Sequence, residues 1–242
     1  MRTRVTFDGH DLTALARVSD LRTSVLARDV RCEDVRGRDG GVYTGASLQP
    51  RRITLTLTLV GAGIEQRRER ARELASILNV SEPRPLCLSV DGGRYYMAVP
   101  STDDVTRIRP AADSFDVEFT VPDPVARGER RTVTVPSGGS VTFDVGGTYP
   151  TRPQVSAPAA ANGGGGFWRL RLEDGSYLLA TIPSGVSSAP VAADCEARTL
   201  RVNNFVALLV PDADWLVLAP GTHTLEMTGT GAATVTFEER WL

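Results

Sequence analysis

The sequence has little with which to carry out covalent chemistry. It has two histidines, His10 and His223, and three cysteines, Cys32, Cys87 and Cys195, all far apart along the chain. There is no CxxC pair and no zinc-ligand spacing, so neither a metal centre nor another cofactor is expected. An odd number of scattered thiols also speaks against a disulfide framework, and the three read as reduced, packed residues. Both histidines read as surface or edge residues, and with only two of them a Ser-His-Asp site has few options. The run Gly163–Gly166 lacks the GK[ST] ending of a phosphate loop and leads into the strand-like "FWRLRL" instead of a helix. Asp103 and Asp104 are adjacent, so their side chains diverge and do not flank a substrate. The chain reads as a non-enzyme.

Other absences narrow the setting. A net charge of −2 and a pI near 5.8 provide no global basic field for nucleic acid. No apolar run approaches the roughly 20 residues of a spanning helix. The start "MRTRVTFDGHDL" lacks the apolar core of a signal peptide. The expectation is a protein made in a cytoplasm, with no signal peptide and no membrane insertion. At 41% hydrophobic, 242 residues can build one large or two small domains.

What the sequence does have is β patterning. In "PRRITLTLTLVG", Ile53, Leu55, Leu57 and Leu59 alternate with Thr54, Thr56 and Thr58. Period-two alternation puts the aliphatics on one face and the threonines on the other. A glycine turn then leads into "IEQRRERARELASILN", where Ile64, Ala71, Leu74, Ala75 and Leu78 form a helical stripe among Arg and Glu. Glu65–Arg68 and Glu69–Arg72 are spaced to pair along its surface. This helix, 64–79, is the one convincing helix. Further strands are expected at 24–35, 85–90, 94–99 and 115–121, with Asp91–Gly93 as a hairpin turn and Arg36–Gly41 as a glycine-rich turn.

Pro122 and Pro124 break the pattern, since neither can sit in a central strand. Short strands then recur at 131–135, 140–145, 167–172, 176–182, 199–203, 214–218, 222–227 and 233–241, with turn residues between them. The fold class is mainly β: an N-terminal β-sandwich with one α-helix over 1–128, and a C-terminal galectin-like or jelly-roll β-sandwich over 129–242. Trp168 shares a face with Leu170 and Leu172 and belongs in the core. Trp215 falls opposite Leu216 and Leu218, which makes it the candidate glycan contact.

The ordered series of features resembles the distal tail protein (Dit) family of long non-contractile-tailed phages. It comprises Phe7, Gly9, Asp11 and Leu12; a turn from Gly37 to Gly40; Pro50, Arg51, Ile53 and Leu55; Gly61; and a helix ending Leu74, Ile77, Leu78, Asn79. The first domain closes at Phe119–Gly128 with Pro122 and Pro124, and Val125 and Arg127 stand where the family often has aromatic residues. In the second domain Gly147–Val155, Asn203–Phe205, Leu218–Glu226 and the terminal Arg240–Trp241 continue the likeness.

The resemblance implies a virion protein of the tail tip or baseplate. Six first domains would form a homohexameric ring that joins the tail tube protein to the tail-tip hub protein. The second domain would project outward and carry a receptor-binding protein or meet a host-wall glycan. The competing reading is a carbohydrate-binding module of two β-sandwiches.

Overall fold

The computed structural model describes residues 3–25, 28–101, 114–160, 167–182 and 187–242. Gly163–Gly166, Asp103 and Asp104 lie outside them. The chain divides into two compact units, Met1–Ala126 with Leu242, and Arg127–Trp241.

Among its described residues the first unit holds nine strands: β1 (Val5–Phe7), β2 (His10–Asp11), β3 (Ala16–Thr23), β4 (Arg28–Asp34), β5 (Gly41–Leu48), β6 (Arg51–Leu59), β7 (Arg84–Leu88), β8 (Tyr95–Pro100) and β9 (Ser114–Val121). All named pairings are antiparallel, and β8 pairs with both β7 and β9. The sheet runs β3-β6-β9-β8 and continues through β7 to β1 and β2. Its two halves meet at Phe7 and Phe119, whose ring centroids are 5.2 Å apart. Ile53, Leu55, Leu57 and Leu59 are buried while Thr54, Thr56 and Thr58 stay half-exposed, as the alternation requires. Between β7 and β8 the connection is longer than a two-residue turn: a 3-10 turn, Ser89–Asp91, is followed by Gly92 and Gly93, both at positive φ.

The helix α1 spans Ile64–Leu78, with Asn79 at its C-cap. Its burial departs from the expected stripe. Leu74 is buried, but Ile64 and Ala75 are exposed, and the other fully covered residue is Arg67. Arg67 is held against the glycine turn that precedes the helix, its guanidinium donating to the Gly61 carbonyl at 3.5 Å.

The second unit is a sandwich built from β10 (Ala126–Val135), β11 (Ser140–Val145), β12 (Gln154–Ala160), β13 (Phe167–Leu172), β14 (Tyr177–Thr181), β15 (Ala189–Asp194), β16 (Thr199–Val202), β17 (Phe205–Ala207), β18 (Gly221–Thr228) and β19 (Ala233–Trp241). One sheet is ordered β17-β16-β15-β12-β19-β10 and the other β11-β18-β13-β14. Between them lies a core with Trp168, Leu170, Leu178, Leu216, Leu225 and Phe237. The expected strand over 214–218 does not form. Leu218 alone pairs, exchanging two 2.8 Å backbone hydrogen bonds with Thr151. Leu216 and Leu218 are still buried, so their hydrophobic alternation reflects a core-facing loop.

Candidate functional site

The described residues contain no group of three or more His, Cys, Asp or Glu side chains placed to hold a metal ion. What the first unit offers instead is surface. On its polar sheet face Thr56 Oγ1 donates to Asp116 Oδ1 at 2.6 Å, and Arg22 ion-pairs with the same carboxylate. The Ser19 and Thr58 hydroxyls are 2.8 Å apart, and Arg52 lies 3.6 Å from Glu118. These contacts run across three strands, β3, β6 and β9, and fix the side chains of a half-exposed face. Thr56 and Arg22 hold the Asp116 carboxyl below its ordinary value, against a smaller opposing effect of burial.

Among the described residues the β4–β5 ribbon forms a two-stranded sheet of its own, paired only with itself. Register places Arg28, Val30, Cys32 and Asp34 opposite Leu48, Ala46, Tyr43 and Gly41. A bulge between Arg31 and Cys32 leaves Thr44 as the extra residue and restores Tyr43 to the face of Val30. One face of the ribbon therefore carries Val30, Cys32, Tyr43, Ala46 and Leu48, with Arg28 and Asp34 at its two ends, and the other carries Asp29, Arg31 and Glu33 together with Val42. The apolar face is uncovered: Val30 is 58% and Tyr43 64% exposed. Gly37 and Gly40 both sit in the connecting turn at positive φ, +83° and +76°, a conformation that favours glycine.

At the base of this ribbon Pro50 is exposed and Arg51 is not. Arg51 opens β6 with 6% exposure; it donates to Tyr96 Oη at 3.1 Å and to the Val25 carbonyl at 3.3 Å. Its guanidinium also lies over the Tyr96 ring, 5.4 Å from the centroid. Burial, ahead of nearby charges, pushes the Tyr96 hydroxyl pKa up. Gly61 lies where a Cβ would stand 3.0 Å from Arg67 Cγ and 3.2 Å from the Arg67 backbone nitrogen, so the helix start approaches this glycine closely. Gln66 Oε1 accepts from the Ala62 N–H at 2.8 Å, and Arg70 donates to the Val60 carbonyl at 2.6 Å, tying the helix start to the glycine turn. Glu65 and Arg68 pair at 3.1 Å. Pro122 and Pro124 occupy the bend between β9 and β10 and Val125 is buried, while Arg127 faces Glu238 at 3.6 Å.

In the second unit Trp168 is fully buried and its indole N–H points at Met227 Sδ, 3.1 Å away. Trp215 is half-buried and packs against the core. The sequence placed His223 at a surface or edge; it is buried instead. Its Nδ1 is 2.7 Å from Glu173 Oε1 and its Nε2 is 2.6 Å from the Ala219 carbonyl, so each ring nitrogen meets an acceptor. His10 is exposed. Cys195 is buried, and burial lifts its thiol pKa to about 11.

Of the features not read from the sequence, two belong to these surfaces. One is the second strand of the ribbon, Gly41–Leu48, whose glycines and serine mask its pattern. The other is a cluster of arginines on the outer face of the second unit, brought together from β10, β19 and the turn before β12. Only strand register reveals it.

Comparisons with known proteins fall on both units. A family model described as a phage tail protein RIFT-related domain matches residues 14–121. A second, described as the C-terminal domain of a siphovirus-type tail component, matches residues 146–241. The curated "Distal tail protein" of Bacillus phage SPP1 is 25% identical over 245 residues, covering 98% of this chain and 94% of its own. The crystal structure of SPP1 Dit, titled a paradigm of the hub adsorption apparatus in phages infecting Gram-positive hosts, aligns over the whole of both chains. Its TM-score is 0.80 at 22% identity. A chain of the phage P2 baseplate in its activated conformation with Ca aligns over 98% of this chain and 97% of its own, with TM-score 0.54 at 10% identity. At these identities the structural likenesses speak for the fold.

Proposed function

The chain belongs to the distal tail protein family of siphophages, and from that membership we propose that it is a ring-forming adaptor of the phage tail tip. It is a structural tail component with a structural, non-enzymatic role. The finer reading is a homohexameric ring in the virion that joins the tail tube protein to the tail-tip hub or baseplate. The second unit would be available to anchor receptor-binding parts.

The observation that carries this reading is the β4–β5 ribbon. A two-stranded ribbon is marginal in water on its own. This one presents Val30, Tyr43 and Cys32 to solvent on a single face. Exposed apolar faces of that kind mark association surfaces, and a ring in which each ribbon covers the next subunit buries every copy by the same contact. The polar face held by Thr56, Asp116 and Arg22 supplies a second fixed surface for a neighbour. The likeness to distal tail proteins favours the adaptor over the carbohydrate-module reading, and Trp215, half-buried against the core, keeps only part of its ring for a ligand.

Light scattering across protein concentration tests the proposal, with and without a co-expressed tail-tip hub. The expected result is a hexameric species, weakened by Tyr43→Asp with the thermal melt unchanged. A strict monomer in every condition would overturn it.

A further inference from the structure

The chain contains no lysine; its 27 basic side chains are all arginine. Four of them, Arg127, Arg130, Arg152 and Arg240, line one hollow of about 300 Å³ on the outer face of the second unit. Its floor is a cross-strand row in which Thr236 of β19, Gln154 of β12 and Asp194 of β15 stand side by side. Arg130 donates to Gln154 Oε1 at 3.0 Å, and Gln154 Nε2 donates to Asp194 Oδ2 at 2.9 Å.

The three carboxylates in the wall are engaged from within the protein. Asp194 Oδ1 accepts the backbone N–H groups of Glu196 and Ala197, both at 2.9 Å. Glu238 lies 3.6 Å from Arg127, and Glu196 lies 3.7 Å from Arg152. Arg127 and Arg152 are the partners of two of those carboxylates and the buried Arg240 lies over the Tyr149 ring, 5.3 Å from its centroid, so the four guanidiniums outnumber the carboxylates by one. Arg130 and Arg152 are the exposed pair, each with five N–H donors in a planar fork. That fork matches the two oxygens of a carboxylate or phosphate, which an ammonium cannot do.

The hollow continues along the same face into a second of about 320 Å³, sharing Arg130, Gln154, Asp194 and Thr236. The extension is floored by the short side chains of Ser156, Thr199 and Thr234. Hydroxyl-bearing positions thus follow directly from the arginine end. The one aromatic residue in either wall, Phe237, is 2% exposed, so a neutral sugar finds no ring to stack on.

We propose that this trough binds a hydroxylated compound through an oxyanion it carries, a phosphate or a carboxylate. The anion is held by Arg130 and Arg152, and hydroxyls of the same ligand lie along the Ser and Thr floor. The inference concerns the second unit alone and stands or falls apart from ring formation. Charge and hydrogen bonding supply the affinity, so binding weakens as salt screens the arginines.

Ligand-observed NMR on the full chain tests it with glycerol 3-phosphate, galacturonate and glucose. Binding of either anion, with glucose inert, is expected. Response to the phosphate alone or to the uronate alone identifies which oxyanion the site takes. Arg130→Gln with Arg152→Gln should lower affinity about tenfold or more, the loss of at least one charge-assisted hydrogen bond. Arg130→Lys, which keeps charge and removes the fork, should fall between. Both arginines are exposed, so circular dichroism should show unchanged folding. Equal binding of glucose, absence of binding by both anions, or an unaffected double variant would overturn the proposal.

Discussion

Thr56 donates a hydrogen bond to Asp116 directly across the β6–β9 pair, while its chain neighbours Leu55 and Leu57 are fully buried on the opposite face. One residue of register therefore separates the core from a polar surface. A one-residue slip of β6 would bury three threonines and expose four aliphatics.

Leu57→Asp should unfold the first unit or cost more than about 3 kcal/mol, since it buries an unpaired carboxylate. Thr56→Val should cost about 1 kcal/mol, the worth of one exchanged hydrogen bond. Thr56→Asp should be milder than Leu57→Asp in folding, although it sets a second carboxylate beside Asp116. Urea melts of the three variants would rank them. Equal losses for Leu57→Asp and Thr56→Asp would mean the faces are assigned wrongly.

Acid should destabilise the protein. Asp116 is held below its ordinary value of 3.8 by Thr56 first and by Arg22. Asp11 is lowered chiefly by its hydrogen bond from Thr13, and Asp174 by that from Ser176. Burial opposes the shift at Asp194 and Glu173, but hydrogen bonds to each carboxylate prevail and hold both low. A depressed folded-state value contributes stability that is present above the unfolded value and lost as pH falls through the folded one. The melting temperature should be level from neutral pH to about 5 and fall below about 4. Asp116→Asn should remove part of that acid slope and leave the protein closer to its own neutral-pH stability as pH drops.

Thiol labelling should separate the three cysteines. Cys32 is exposed on the ribbon and should react first; Cys195, buried with its thiol raised to about 11, should react only on unfolding. Cys87 is half-buried and falls between. If the ribbon is covered on assembly, Cys32 labelling should slow as protein concentration rises. A rate independent of concentration in samples that scatter as hexamers would remove the ribbon from the interface.

A fragment spanning Arg127–Leu242 should fold cooperatively, because its sandwich core is drawn from residues 135–237. A fragment starting at Glu129 should be less stable, since it omits Gly128, on which the Trp241 ring rests: a Cβ there would lie 2.3 Å from that ring. Gly128→Ala in the full chain should be destabilising for the same reason. Matching melts for the two fragments, or an unaffected Gly128→Ala variant, would show that this contact contributes nothing.

Where the sequence carried a strong period, it could be read. The alternation at Ile53–Leu59, the helix to Leu78, the inward face of Trp168 and the turn glycines at Gly37 and Gly40 all follow from local patterns. The strands that escaped notice are rich in weak β-formers: "QVSAPAA" at Gln154–Ala160 and "APVAAD" at Ala189–Asp194 bury one valine each, Val155 and Val191, and otherwise alanines. Ala16–Thr23 and Gly41–Leu48 were hidden by charge and glycine. Asp214–Leu218 misled in the other direction, because a loop can bury alternate leucines without joining a sheet. The buried state of His223 and the convergence of four arginines depend on which strands are neighbours, and no short-range pattern encodes that.

The strands β10 and β19 open and close the second unit, and they lie next to each other in its larger sheet. Thr132 and Thr236 hydroxyls stand 3.3 Å apart between them, and Arg131 reaches Glu239 at 3.0 Å. The unit thus returns to the place where it began. A module with adjoining ends can be spliced into a loop of an unrelated chain, or cut open elsewhere and rejoined, with little change to its interior. Replacing such a cassette, while leaving the rest of the chain alone, is a short route by which a lineage could alter what this unit meets.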